Sequence, residues 1–189
     1  RAIPFQSFER HEEEALRNFL GLGESMGCPL VVGINAGDLR EGLGSIVKTS
    51  QAKVIATVRD ANRASHPVAA YRDLAAALGE NGLLLPLWIR FTPQENDSEL
   101  GRLLDASILS GSLLCDGLGD MLGVAGEEDP DRARGRAYDL LQGSRARISK
   151  TEFVACPSCG RTLFDLESTT QLVKKNTGHL KGVTIAVMG

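Results

Sequence analysis

The chain has 189 residues, of which 42% are hydrophobic and 24% are charged. This length suits one ordinary domain plus part of another, with a sizeable apolar core. A formal net charge of −3 with mixed signs argues against binding of nucleic acid, which needs clustered Lys and Arg. No apolar run approaches the roughly 20 residues of a membrane span, and no signal-peptide pattern opens the chain. We therefore expect a globular, soluble protein in a cytosol-like compartment, with no membrane partner.

Helical and strand patterns alternate in the first part of the sequence. Apolar residues at helical spacing predict a helix from Phe8 to Leu20, ended by Gly21 and Gly23. Continuous apolar runs predict two buried strands, Pro29 to Ile34 and Lys53 to Val58.

A polar turn is predicted at residues 35–38, and a second helix start follows later. Ser65 as N-cap and Pro67 in the first turn predict a helix that stops at Gly79. Leu83 to Ile89 is then predicted as a strand, with its proline at an edge or a bulge.

The middle of the chain continues the pattern. Ser98 to Leu109 is predicted as a helix, Gly111 to Gly117 as a strand, and Met121 to Glu128 as a loop. The residues expected to face inward from the helix are Leu100, Leu103, Leu104 and Ile108.

The composition changes after the next predicted helix, Asp131 to Gln142, which follows Asp129-Pro130. A basic stretch without periodicity occupies residues 144–150. The last elements are predicted as a strand, a helix and a strand at Glu152 to Ala155, Ser168 to Asn176 and Val183 to Val187. We therefore predict a domain over residues 1–143, a linker over 144–150 and a second domain over 151–189.

This alternation of strands and helices predicts the α/β class with a parallel sheet. An open sheet and part of a barrel both fit, and periodicity does not separate them.

Two thiols stand close together at Cys156-Pro157-Ser158-Cys159-Gly160-Arg161. Their spacing is typical of half a metal or cluster site, because structural zinc and cubane clusters each take about four ligands. Three interpretations stay open on spacing alone: a zinc knuckle, an iron–sulfur site and a redox pair. Cys28 and Cys115 lack a second such spacing and are expected to be reduced, buried thiols.

Residues 152–166 (EFVACPSCGRTLFDL) resemble the start of the cluster domain of the 4-hydroxy-3-methylbut-2-enyl diphosphate synthases, iron–sulfur reductases of the non-mevalonate isoprenoid pathway. Residues 140–145 (LLQGSR) and 179–189 (HLKGVTIAVMG) are similar to the same family, in the same order. Residues 113–120 (LLCDGLGD) resemble the end of the domain inserted in the three-domain form of plastids and some bacteria. The resemblance is strong after residue 110 and looser from residue 54.

The resemblance implies a partial, TIM-barrel-like inserted α/β domain followed by the start of an α+β iron–sulfur domain. It implies that Cys156 and Cys159 are the first two ligands of a [4Fe-4S] cluster. The third cysteine is expected directly after Met188-Gly189, and a glutamate ligand in an Asn-Gly-Pro-Gly-Glu run beyond it. The chain is therefore expected to be a fragment without the catalytic barrel of the family.

The whole enzyme of the family would convert 2-C-methyl-D-erythritol 2,4-cyclodiphosphate to the linear hydroxymethylbutenyl diphosphate by a two-electron reductive ring opening. Ferredoxin or flavodoxin would deliver the electrons, in a bacterial cytoplasm or a plastid stroma, and the resemblance also allows a homodimer.

Basic residues lie just before the thiol loop. Arg145 and Arg147 are candidates for holding the diphosphate by charge-assisted hydrogen bonds, and a solvated linker is the alternative. The rival to the whole assignment is a non-enzymatic zinc-binding interaction module that uses the Cys156 and Cys159 knuckle.

Overall fold

Every strand pairing in the described part of the chain is parallel. The computed structural model describes residues 3–61, 65–93, 98–127, 129–156 and 162–188. The chain forms two compact units, Arg1–Leu140 (the first unit) and Leu141–Gly189 (the second unit). No helix in the described ranges is long and apolar enough to cross a membrane.

The elements alternate as the sequence predicts, which confirms the α/β class. In chain order they are β1 (Phe5–Ser7), α1 (Glu13–Met26), β2 (Leu30–Gly33), α2 (Ala36–Asp38), a π turn (Leu39–Leu43), α3 (Gly44–Thr49), β3 (Val54–Thr57), α4 (Pro67–Glu80), β4 (Trp88–Phe91), α5 (Glu99–Cys115), β5 (Met121–Val124), α6 (Pro130–Gly143), β6 (Glu152–Ala155), α7 (Leu166–Thr177) and β7 (Thr184–Val187).

The strands of the first unit follow one another in chain order. β2 pairs with β1 on one side and β3 on the other, and β4 pairs with β5. A single parallel bridge from Ala56 to Leu87 joins the two groups. All four residues of both β2 and β3 are buried, as expected for parallel strands covered on both faces.

A buried polar contact fixes β3, α4 and β4 to one another. The Thr57 hydroxyl donates to the Trp88 carbonyl oxygen (2.8 Å) and lies 3.1 Å from the Tyr71 hydroxyl oxygen. That Tyr71 oxygen accepts from the backbone N–H of Arg90 (2.9 Å). The polar groups of Thr57 and Tyr71 are thus satisfied inside the core, which removes the cost of burying them.

The first predicted helix is displaced. Phe8 lies in the core ahead of α1, and Gly21 and Gly23 fall inside the helix. The helix ends instead at Gly27, whose φ of 62° is the left-handed conformation typical of a glycine C-cap. The predicted polar turn at residues 35–38 is also wrong, because α2 begins at Ala36.

The predicted helix start at Pro67 is confirmed, since α4 begins there. Ser65 is not its N-cap: His66 occupies that position and makes no side-chain capping bond. The predicted strand from Leu83 is largely wrong, because β4 begins only at Trp88 and Leu84 is fully exposed.

The inward face predicted for α5 is wrong. Its buried residues are Ala106, Leu109, Ser110 and Leu113. The four residues expected there are all exposed: Leu100, Leu103, Leu104 and Ile108. Both sets repeat at helical spacing, so the apolar period alone does not select the buried side.

Two further predictions in this region are wrong. Gly111 to Gly117 was expected as a strand, but α5 continues to Cys115. Met121 to Glu128 was expected as a loop, but it contains β5, with Trp88 opposite Met121. A short apolar run fits a helix or a strand equally well. Residues 111–115 belong to α5.

The elements of the second unit agree with the sequence. β6, α7 and β7 form a parallel strand–helix–strand unit, with Leu166 and Thr170 of α7 buried. The basic stretch at residues 144–150 is anchored to the end of α6. The Gln142 side-chain oxygen accepts from the backbone N–H groups of Ser149 (3.2 Å) and Lys150 (2.8 Å).

The orientation of α5 predicts a contrast between two leucines. Leu113→Ala should lower the free energy of unfolding by about 2–5 kcal/mol, because Leu113 is 0% exposed and truncation leaves a cavity. Leu104→Ala should change it by no more than about 0.5 kcal/mol, because Leu104 is 52% exposed. Urea unfolding of both variants measures the difference. A larger loss in Leu104→Ala than in Leu113→Ala would contradict this orientation.

Candidate functional site

Cys156 lies at the carboxyl ends of two paired strands. β6 and β7 run in register from Glu152 opposite Thr184 to Ala155 opposite Val187. The backbone N–H of Cys156 then donates to the Val187 carbonyl oxygen at 3.0 Å, which extends the ladder by one bond. This is the edge of a parallel sheet where ligands usually bind in α/β proteins.

Cys156 lines a hollow beside α7. The residue is half-buried, and the hollow of about 400 Å³ is lined by Ala155, Cys156, Leu166, Glu167, Thr170, Gln171 and Lys174. A thiol in such a position is accessible to a soft metal or a cluster, which thiolates bind well.

The second predicted ligand, Cys159, lies outside the described residues, as does Arg161. The geometry of the thiol pair therefore stays a prediction. Among the residues that are described, no three His, Cys, Asp or Glu side chains form a group that could hold a metal ion.

The amino end of α7 is fixed by an N-cap. The Asp165 carboxylate accepts from the backbone N–H groups of Glu167 (3.1 Å) and Ser168 (3.3 Å), and from the Ser168 hydroxyl. The Ser168 hydroxyl, followed by these backbone N–H groups, lowers the pKa of Asp165. The cap thus holds the helix that forms one wall of the hollow, and ionisation of Asp165 strengthens it.

The structure does not bring Arg145 next to Cys156. The guanidinium of Arg145 lies 4.0 Å from the Glu152 carboxylate, at the amino end of β6. Cys156 follows the carboxyl end, four residues further, which is about 13 Å along a strand. Arg147 is exposed, and its backbone N–H donates to the Leu141 carbonyl oxygen (3.1 Å).

The remaining described cysteines lie in the first unit. Cys28 is partly buried and packs against the core, close to what we expected. Cys115 was expected to be buried, but it is exposed, because α5 extends to it and turns it away from the core.

Two residues near the site carry roles that the sequence analysis missed. Gln142 positions the segment that leads into β6, and Lys174 lines the hollow together with Cys156. The helical spacing of Glu167, Thr170 and Lys174 could have placed Lys174 on this face of α7.

The chain was compared with known proteins. Residues 152–189 match the family model of the GcpE protein C-terminal domain. That range contains both Cys156 and Cys159.

Several relatives are named as synthases of the family that the sequence resembles. A 4-hydroxy-3-methylbut-2-en-1-yl diphosphate synthase (flavodoxin) of Leptospira interrogans is 53% identical over 89 residues, which is 46% of this chain and 13% of the relative. The flavodoxin form of Chlorobaculum tepidum is 39% identical over 123 residues, 65% of this chain and 16% of the relative. The chloroplastic ferredoxin form of Arabidopsis thaliana is 44% identical over 125 residues, which is 65% of this chain and 17% of the relative. The chain thus spans less than a fifth of each of these proteins.

The Asp165 cap predicts an acid-sensitive α7. Because its pKa is lowered in the folded state, Asp165 stabilises the helix above its unfolded pKa of about 3.9 and loses this effect as the pH falls through the folded value. Asp165→Asn, which still caps, should keep α7 at pH 7 and weaken this pH dependence, whereas Asp165→Ala should fray it at every pH.

Hydrogen exchange of the α7 amides measures both effects. Equal protection of α7 in wild type and Asp165→Ala at pH 7 would show that the cap does not hold the helix.

Proposed function

We propose that this chain, which matches part of the 4-hydroxy-3-methylbut-2-enyl diphosphate synthase family, is a portion of such an enzyme. The observation that supports this most strongly is the family match over residues 152–189, which includes the accessible thiol of Cys156 at a strand end. The proposed portion consists of the C-terminal part of the inserted α/β domain over residues 1–143, a linker over 144–150 and the N-terminal part of the cluster domain over 151–189.

Cys156 and Cys159 would hold a [4Fe-4S] cluster as thiolate ligands. Cys156, the described member of this pair, fits such a cluster, because it is partly exposed and borders a hollow at the carboxyl ends of β6 and β7. When bound, such a cluster supplies single electrons to a substrate. In this proposal, the two cysteines act as ligands and not as nucleophiles.

The reaction of the whole enzyme would open the ring of the cyclic diphosphate. The substrate takes up two electrons and two protons and releases one water as it becomes the linear hydroxymethylbutenyl diphosphate. Two reduced one-electron carriers are oxidised in each turnover. The relatives are named for ferredoxin or flavodoxin, and we propose a carrier of this kind for the present protein.

Arg145 and Arg147 would act on the diphosphate at longer range. Both are exposed, and the guanidinium of Arg145 lies at the amino end of β6, away from Cys156. Their charges would attract the diphosphate towards the strand edge, and direct contact with the cluster is not required. The compact turn that Gln142 stabilises would hold them at that approach.

The first unit would be part of a barrel. The five strands that the structure describes in it are parallel and follow in chain order, which is the arrangement of a (β/α) barrel. The guanidinium of Arg90 on β4 lies 4.3 Å from the Phe5 ring centroid on β1. In a flat sheet the backbones of these strands would lie about 14 Å apart, so this contact favours a curled sheet. The role of this domain would be to hold its neighbouring domains in position.

The compartment would be a bacterial cytoplasm or a plastid stroma, since relatives of both origins occur. A homodimer stays a prediction. The rival zinc-binding module is not supported, because the relatives are named as synthases.

Serine substitution of either proposed ligand tests the cluster. In the anaerobically prepared full-length enzyme, Cys156→Ser or Cys159→Ser should remove the iron, the sulfide and the visible cluster absorbance, together with the activity, because the hydroxyl is a poor ligand for a cluster. Cys115→Ser is the matched control and should keep all four, since Cys115 is an exposed thiol on α5.

Metal and sulfide analysis with an activity assay measures the result. Stoichiometric zinc without iron in the wild type, or full iron in both variants, would refute the assignment.

A further inference from the structure

The two units carry opposite net charge. Residues 1–140 contain 14 Lys or Arg and 21 Asp or Glu, whereas residues 141–189 contain 7 and 3. The second unit is therefore basic within a chain whose formal net charge is −3. Such asymmetry favours a negatively charged partner for the basic part.

One basic side chain of the second unit lies beside the candidate site. The Lys174 Nζ is 5.8 Å from the centroid of the Phe153 ring on β6, within cation–π range. Lys174 also lines the hollow next to Cys156. This contact holds an exposed ammonium group against β6, three residues before the thiol in the sequence.

A second hollow continues this surface along α7. It is lined by Asp165, Glu167, Ser168, Gln171, Leu172 and Lys175, so that Glu167 and Gln171 border both hollows. Leu172 is 60% exposed. The carboxyl-terminal half of α7 thus presents one exposed apolar side chain, Leu172, and the two exposed lysines Lys174 and Lys175. Small interfaces of this mixed character are typical of transient electron-transfer contacts.

A simpler explanation covers only part of this arrangement. Lysines in the last turn of a helix offset the partial negative charge of its carboxyl end, which accounts for Lys174 and Lys175 by themselves. It does not account for the basic excess of the unit. Of the three acidic residues there, Glu152 pairs with Arg145 at the amino end of β6. The two that border the hollows, Asp165 and Glu167, lie at the amino end of α7, and residues 171–175 contain no carboxylate.

We propose that Gln171 to Lys175 on α7 form the docking surface for an acidic one-electron carrier protein. This inference rests on the proposed function, because a carrier is useful only if Cys156 holds a redox group. Opposite charges steer the carrier to this face and speed its encounter, while the small apolar centre keeps the complex short-lived. Relatives of this chain are named for flavodoxin or for ferredoxin, which are one-electron carrier proteins.

The association rate of a flavodoxin of net negative charge with the 189-residue chain tests the surface. The double variant Lys174→Gln/Lys175→Gln should lower the rate constant roughly tenfold at low salt, since steering raises such rates by 10–10³. The matched control Arg17→Gln/Lys53→Gln removes two exposed charges of the first unit and should leave the rate unchanged. Added salt should remove most of the difference. Circular dichroism checks that α7 persists in the variant.

Equal rates for the wild type and the α7 variant would overturn the docking surface. Displacement of the flavodoxin by pyrophosphate, at an ionic strength where chloride leaves it bound, would also overturn it, because the lysines would then bind diphosphate. The binding does not require a cluster. The proposed function alone would be refuted if two results came together. The full-length wild-type enzyme would hold no iron, and the α7 variant would still bind flavodoxin more slowly than the wild type.

Discussion

The hydrogen bond from the Cys156 backbone N–H to the Val187 carbonyl oxygen is the contact on which the candidate site depends. It continues the parallel ladder of β6 and β7 past the last residue of β6, so the thiol emerges where both strands end. The sequence separates Cys156 from Val187 by the whole of α7, yet the register sets them side by side. The cysteine that the resemblance implies directly after Gly189 would therefore follow the strand with which Cys156 pairs.

The crossover helix α7 has different roles at its two ends. Its amino end is held by the Asp165 cap, and its first half is fixed by the buried residues Leu166 and Thr170. The carboxyl end faces solvent and carries charge. One short helix thus carries both a wall of the hollow beside Cys156 and the exposed lysines that we propose as a docking surface.

The sequence correctly predicts those elements whose residue pattern fits only one type of secondary structure. β2 and β3 are continuous apolar runs that are too short for a helix, so they are recognised as strands. α4 has a proline at its start, so it is recognised as a helix. α5 has two faces that are both apolar at helical spacing, and small residues at 106 and 110 pack against the sheet in place of the leucines. The choice between these faces depends on tertiary contacts that no local pattern contains. Gln142 was missed for the same reason, whereas the place of Lys174 on α7 and the thiol pair are both visible from their spacing.

The reading frame beyond Gly189 tests the central claim most directly. If the chain is the start of a cluster domain, the next codon should specify cysteine, and an Asn-Gly-Pro-Gly-Glu run should follow within a few residues to supply the remaining ligands. A stop codon in the natural gene at this position, or a continuation without a cysteine and a glutamate, would leave Cys156 and Cys159 without partners and contradict the account.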